Sequence, residues 1–234
     1  MLLSSYKDAL LELAWPARCV GCERPGTLLC ERCAERLGWI AQSSACPRCG
    51  APFGRLVCTE CNNAEGQINW SFDTLRSCFV FDEIAALLSV VYKDGGERRL
   101  APLIADFLAH SLPPAWAGQL DLISYIPASQ EALRRRGFDH MHLVAARLAE
   151  KTELPWACLL RQAQIRDQRG LGQTARRDNL QNAFHLAEDV SADELKGLRL
   201  LLVDDVCTSA ATLDSAAGLL KESGTAQVRC LSLC

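Results

Sequence analysis

The chain has no apolar run of the roughly 20 residues that a membrane-spanning helix needs. Lys7, Asp8 and Glu12 interrupt its first fifteen residues before an uncharged stretch of useful length can develop, so that segment does not read as an export signal. Strong charge of either sign is also missing: 25 Lys and Arg against 28 Asp and Glu leave a net charge of -3. This excludes a global footprint for nucleic acid or an anionic membrane, and any anion site must be local. Neither a GxxxxGK[ST] loop nor a GxGxxG turn occurs, which removes the P-loop ATPase and the dinucleotide-binding readings. Between Cys19 and Cys61 there is no histidine.

Without an export signal or a membrane segment the protein is expected in the cytoplasm. In that reducing compartment its 13 cysteines are not a disulfide framework, and metal binding is the leading explanation. Leu3, Tyr6, Leu10 and Leu13 fall on one helical face, so Met1 to Trp15 is expected to form a short amphipathic helix packed on the neighbouring module.

Eight cysteines form four CxxC pairs: Cys19 and Cys22, Cys30 and Cys33, Cys46 and Cys49, Cys58 and Cys61. Two intervening residues let a tight turn aim both sulfurs at one ion, and two such turns complete a tetrahedral site. Gly50 after Cys49 suits a positive φ, and Pro47 fixes a dihedral in the same turn. Sequential pairing leaves gaps of seven and eight residues; interleaved pairing leaves twenty-three and twenty-four, which a cross-braced finger could also bridge. The sequential arrangement, two short zinc ribbons in a row, is favoured over the interleaved one. Buried or redox-active thiols and an iron-sulfur cluster are the weaker alternatives. A catalytic zinc keeps an open position and usually a histidine or carboxylate ligand, so zinc here is expected to be a structural staple.

Beyond a polar linker at Asn62 to Gln67 the pattern alternates. Strands are expected at Thr74 to Phe81, Asp121 to Ile126, Trp156 to Leu160, Leu198 to Val203 and Val228 to Leu233. Helices are expected at Asp82 to Lys93, Glu97 to Ser111, Phe138 to Lys151 and Thr212 to Ser223. The alternation implies an α/β fold with a doubly wound, mostly parallel sheet, residues 67–234, preceded by a zinc module, residues 1–66. Ligands of such sheets sit beyond the carboxyl ends of the strands.

The stretch Leu201-Leu202-Val203-Asp204-Asp205-Val206-Cys207-Thr208-Ser209-Ala210-Ala211-Thr212 puts two carboxylates at the end of a buried strand, then a loop of small and hydroxyl residues, then a helix. Unpaired donors and the dipole at a helix N-terminus favour a phosphate. A receiver-type phosphoacceptor would normally not come so near the chain end. The stretch resembles the signature of type I phosphoribosyltransferases. Other pieces resemble one branch of them, the ComF competence-protein family, whose members join a double zinc ribbon to a phosphoribosyltransferase domain. Those pieces are Tyr92-Lys93 with Gly95-Gly96, Ile126-Pro127 leading to Leu133-Arg134-Arg135-Arg136-Gly137-Phe138, and Gln168 to Phe184 with Arg176-Arg177, Asn179-Leu180 and Ala183-Phe184.

The resemblance implies that Asp204 and Asp205 contact the ribose hydroxyls of phosphoribosyl pyrophosphate, bound with Mg²⁺. It implies that Thr208, Ser209, Ala210, Ala211 and Thr212 form the cradle of its 5′-phosphate. Pro127, Ala128 and Ser129 would bind pyrophosphate, completed by Arg134 or Arg136, with Lys93 a further candidate, and Gln168 to Asn182 would be a hood that closes over the sugar. This chain departs from the pattern at Ala210, where the superfamily usually has Gly, and at Gly137-Phe138-Asp139-His140, where the branch usually reads Gly-Phe-Asn-Gln.

Residues 131–180 hold ten basic and six acidic residues, a solvated face or a surface for a polyanion. His140 and His142, two apart on a helix, diverge and are not expected to ligate a metal together. Cys207 lies in the loop before a helix and reads either as a reactive thiol or as a variable loop position; Cys78, Cys158 and Cys230 read as core. Two functions from different classes follow. One is a phosphoribosyltransferase-type protein acting on an unknown acceptor. The other is a non-catalytic adaptor for DNA uptake that binds single-stranded DNA or competence-machinery proteins and uses the pocket as sensor or scaffold.

Overall fold

The computed structural model describes residues 16–52, 56–59, 61–63, 66–163 and 183–234. The N-terminal helix expected within Met1 to Trp15 and the segment 168–182 likened to a hood lie outside the described residues.

Helices among the described residues are α1 (Glu31–Ala34), α2 (Glu83–Lys93), α3 (Ala101–Ser111), α4 (Gln130–Arg136), α5 (His140–Thr152), α6 (Ala192–Leu195) and α7 (Ala211–Glu222). Strands are β1 (Asn62–Asn63), β2 (Gly66–Gln67), β3 (Thr74–Ser77), β4 (Leu122–Tyr125), β5 (Leu160–Gln162), β6 (Phe184–Leu186), β7 (Arg199–Asp204) and β8 (Gln227–Ser232). No helix among them is long and apolar enough to cross a membrane.

The central sheet has the order β3-β8-β7-β4, and every pairing in it is parallel. Both faces are buried, which is why β7 carries the unbroken apolar run Leu200 to Val203. Alternation sends Leu201, Val203 and Leu231 into one core with Leu88, Tyr92, Ile104, Leu108 and Leu148 from α2, α3 and α5. Leu200, Leu202, Val228 and Cys230 go into a second core with Leu213, Ala216, Ala217 and Leu220 of α7. This is the doubly wound arrangement expected from the alternation of strands and helices.

Local chemistry sets the element ends. Asp82 caps α2 by accepting the Ala85 N–H at 2.9 Å. Asp139 caps α5 by accepting from Met141 and His142. Gly137, at φ 74, closes α4 with a left-handed residue that only glycine takes without strain.

Three expectations change. The strand expected at Trp156 to Leu160 is displaced: Trp156 makes only a single parallel bridge to Ile123, and the paired segment is β5, antiparallel to β6. The helix expected from Glu97 begins as a 3-10 turn, Arg98–Leu100, before the α-helical part starts at Ala101 with Pro102 in its first turn. The described residues of the expected polar linker pair as β1 and β2.

The zinc module is joined to the sheet by backbone bonds. The Ile40 N–H donates to Cys78 O at 2.9 Å, Val80 N–H to Gly38 O at 2.8 Å, and Leu75 N–H to Arg48 O at 2.9 Å. Gly50 has φ 72, and a Cβ there would stand 2.7 Å from Leu75 O, so a side chain would push the knuckle off β3.

Candidate functional site

The sulfurs of Cys19, Cys22, Cys30 and Cys33 lie within 4.8 Å of one another, and so do those of Cys46, Cys49, Cys58 and Cys61. Pairing is therefore sequential. Four Zn–S bonds of about 2.3 Å at tetrahedral angles set the sulfurs about 3.8 Å apart. The Cys22–Cys30 and Cys49–Cys58 pairs stand 3.7 and 3.6 Å apart, so both donor sets fit zinc. Backbone N–H groups already point at the sulfurs: Cys30 donates to Cys19 Sγ at 3.3 Å and Cys58 to Cys46 Sγ at 3.4 Å. Burial raises the Cys19 thiol, but N–H donors from Cys30, Gly21 and Cys22 outweigh it and leave the group at about 6. Burial and the neighbouring sulfurs push Cys33 up to about 12. Four clustered thiolates need a divalent cation to coexist. Trp70 Nε1 donates to Cys61 Sγ at 3.2 Å, a partner that sequence spacing did not reveal.

The second constellation lies where the parallel strands end. β4 and β7 are neighbours, and the Ile126 N–H donates to Val203 O at 3.0 Å. The Pro127 to Ser129 turn and the Asp204-Asp205 strand end thus meet at adjacent carboxyl ends. Asp139 Oδ2 accepts the Ala128 N–H at 3.1 Å and fixes that turn, and Ser129 caps α4 by accepting from Ala132 at 3.2 Å.

Asp204 and Asp205 are both buried. Asp205 Oδ2 is 2.6 Å from Lys93 Nζ at the end of α2 and 3.4 Å from His140 Nε2 at the start of α5. Burial alone would raise its carboxyl; His140 and the Lys93 charge outweigh burial and hold it well below the usual carboxylate range. Asp204 accepts the Asp205 N–H at 2.9 Å. Burial first and the Asp205 charge second push its carboxyl well up.

Past the acidic pair, Thr208, Ser209 and Thr212 are exposed. Ala210 is left-handed at φ 57 and ψ 0, the conformation a glycine would take there, and it precedes α7 with no side-chain cap on the helix. The first N–H donors of α7 therefore donate to no capping side chain. Burial raises the Cys207 thiol to about 11, which rules against a reactive thiolate.

The structure brings together Asp204, Asp205, Lys93, the 127–129 turn and the head of α7. It does not bring Arg136 to them: Arg136 and Arg135 both bond Asp94 Oδ1, at 3.1 and 3.0 Å, and Arg134 is exposed. His140 is the residue that sequence reasoning missed at this site. Its neighbour His142 faces away from the site, toward Tyr125 at 3.3 Å and Trp156. The departure of His140 from the Gln of the branch pattern was the available signal.

Residues 10–63 match the double zinc ribbon domain family, and residues 134–234 the phosphoribosyl transferase domain family. The DNA utilization protein YhgH of Salmonella typhimurium is 30% identical over 95% of this chain and 98% of its own length. Competence protein ComFC of Bacillus subtilis is 24% identical over 87% of this chain and 82% of its own. Competence protein F of Haemophilus influenzae is 36% identical over 41% of this chain and 42% of its own.

Proposed function

Because this chain belongs to the ComF competence-protein family, in which a double zinc ribbon precedes a phosphoribosyltransferase domain, we propose that it binds the magnesium complex of phosphoribosyl pyrophosphate and serves the handling of incoming DNA. The observation that carries the reading is the meeting of three features at the carboxyl ends of β4 and β7: the acidic strand end, the turn at Pro127 and the uncapped head of α7. The 5′-phosphate takes the exposed Thr208, Ser209 and Thr212 with the N–H groups that open α7, where dipole and donors favour an anion. The ribose diol meets the carboxylate side of the strand end, and pyrophosphate lies over the 127–129 turn. Magnesium, carried by the ligand, neutralises pyrophosphate charge beside an acidic pair that would otherwise repel it. The phosphoribosyl group is thereby presented for transfer to an acceptor, and the zinc module, divided from the binding domain near residues 66 and 67, is structural.

Calorimetry tests this. The zinc-loaded protein should bind Mg²⁺-phosphoribosyl pyrophosphate, and a variant with Asp204→Asn and Asp205→Asn should not. Equal binding by the two proteins would remove the site assignment.

A further inference from the structure

The two carboxylates at the end of β7 have different surroundings. Asp205 is enclosed: Oδ2 faces Lys93 Nζ at 2.6 Å, His140 Nε2 at 3.4 Å and Ser89 Oγ at 3.5 Å, while Oδ1 accepts the Val206 N–H at 3.0 Å. Its partners come from α2 and α5, on one face of the sheet. Alternation sends Asp204 to the other face with Leu200 and Leu202, the side of Ala210 and α7. There its carboxylate accepts only the Asp205 N–H among the hydrogen bonds of the described residues.

Resting on the ligand reading above, we propose that Asp204 alone meets the ribose diol, while Asp205 is a positioning residue whose counter-ion is Lys93. Two elements are tied through the Asp205 side chain, α2 by Ser89 and Lys93 and β7 by its own backbone, and His140 of α5 packs 3.4 Å from the same carboxylate oxygen. The ring of His140 is buried, its nitrogens have no hydrogen-bond partner, and they stand 3.9 and 3.4 Å from carboxylate oxygens of Asp139 and Asp205. Asp139 in turn fixes the Ala128 N–H, so the cluster also sets the turn that faces pyrophosphate. Moving Lys93 to pyrophosphate would leave a buried carboxylate without its cation, an arrangement that proteins avoid. Lys93 is thus a member of the scaffold, in place of the direct ligand role that the family resemblance implied.

The test uses the full-length, zinc-loaded protein with Asp204→Asn, Asp205→Asn, Lys93→Met and the double variant Asp205→Asn with Lys93→Met, read by melting temperature and by calorimetry with Mg²⁺-phosphoribosyl pyrophosphate. Each single change at the ion pair should lower the melting temperature and weaken binding, since each strands one charge. The double variant should recover most of the melting temperature and bind within about tenfold of the wild type, because residues in contact couple non-additively. Asp204→Asn should lose affinity by more than about a hundredfold, as when a buried polar group of a binding site loses its match, with a melting temperature that does not fall and, at neutral pH, rises. A double variant that binds no better than the worse single variant overturns the proposal, as does Asp205→Asn losing affinity at unchanged melting temperature. Absence of binding by the wild type sinks the ligand reading instead, and the melting temperatures alone then decide the role of Asp205: no recovery in the double variant refutes it.

Discussion

Replacing Asp204 by Asn should stabilise the ligand-free protein. Asp204 is 7% exposed at the end of a central strand, and among the described residues no cation is in ion-pair contact with it. Burial and the adjacent Asp205 charge raise its carboxyl, with Lys93 offsetting them only in part. A raised folded value fixes the sign: the contribution of Asp204 to stability is fully present below the unfolded value near pH 4 and is lost as pH rises toward the folded one. At pH 7 the wild type therefore carries a penalty that the neutral, isosteric Asn lacks, and the Asn carbonyl can still accept the Asp205 N–H. Desolvating a charge in a protein still costs several kcal/mol after relaxation and water entry, so a net gain of about 1.5 kcal/mol is a moderate expectation. In a chain of this size that corresponds to a rise of roughly 3–6 °C in melting temperature. Scanning fluorimetry of wild type and variant from pH 4 to pH 8 should show the gap widening with pH and nearly closing at pH 4. Saturating ligand should raise the wild type by about 2.7 kcal/mol at a hundred times its Kd, and the variant hardly at all. A variant that melts below the wild type at pH 7.5, or a gap that ignores pH, would refute the reasoning.

Three other outcomes follow from the packing. Metal analysis should find about two zinc ions per chain, and Cys58→Ser should release the second and speed exchange of the Leu75 amide, bonded to Arg48 O, while β7 stays protected; unchanged exchange at Leu75 would sever the link between zinc and sheet. Gly50→Ala should cost more than about 2 kcal/mol, because it adds positive-φ strain to a 2.7 Å contact with Leu75 O, and a denaturation midpoint equal to the wild type would contradict that. At Ala210, φ 57, a Val should lower the melting temperature by more than about 4 °C, whereas a Gly should be near neutral, with relief of roughly 1 kcal/mol of strain set against a looser unfolded chain and a lost buried methyl. Equal melting of the Val and Gly variants would show that the turn is not left-handed in solution.

The sequence-legible parts are those where one local rule dominates. β7 could be read from Leu198 to Val203 because a strand buried on both faces needs apolar residues at every position, and Asp82 before an apolar repeat marks the start of α2. α4 was not read, since its seven residues, three of them arginine, give no apolar stripe; its start is set by the Ser129 cap and its end by Gly137. β5 and β6 were misplaced or missed because three-residue strands carry too little period, and their pairing is tertiary. At the site, residue types and spacing pointed to both carboxylates and the loop. The division between Asp204 and Asp205 depends on what α2 and α5 bring to each face, and no spacing within one segment encodes that.

The placement of the zinc module has a physical reason within the sheet. β3 is an edge strand, paired with β8 on one side only, and an open edge of a parallel sheet invites pairing with another chain. Here its outward groups are taken by the module: Leu75 N–H by Arg48 O, Ser77 O by Gln42 Nε2 at 2.8 Å, and Cys78 O by the Ile40 N–H. Arg76 reaches the carbonyls of Cys46 and Pro47, inside the second zinc knuckle. The first knuckle packs one side into the same core as α2, with Cys19, Val20 and Cys33 in one cluster with Ile84 and Leu88. A knuckle is held rigid by its ion and a loop of similar length is not, so a metal-clamped turn can cover a strand edge without a hydrophobic core of its own. Zinc occupancy, edge protection and the setting of α2 are thereby linked, and α2 is the helix that carries Lys93 to the acidic pair.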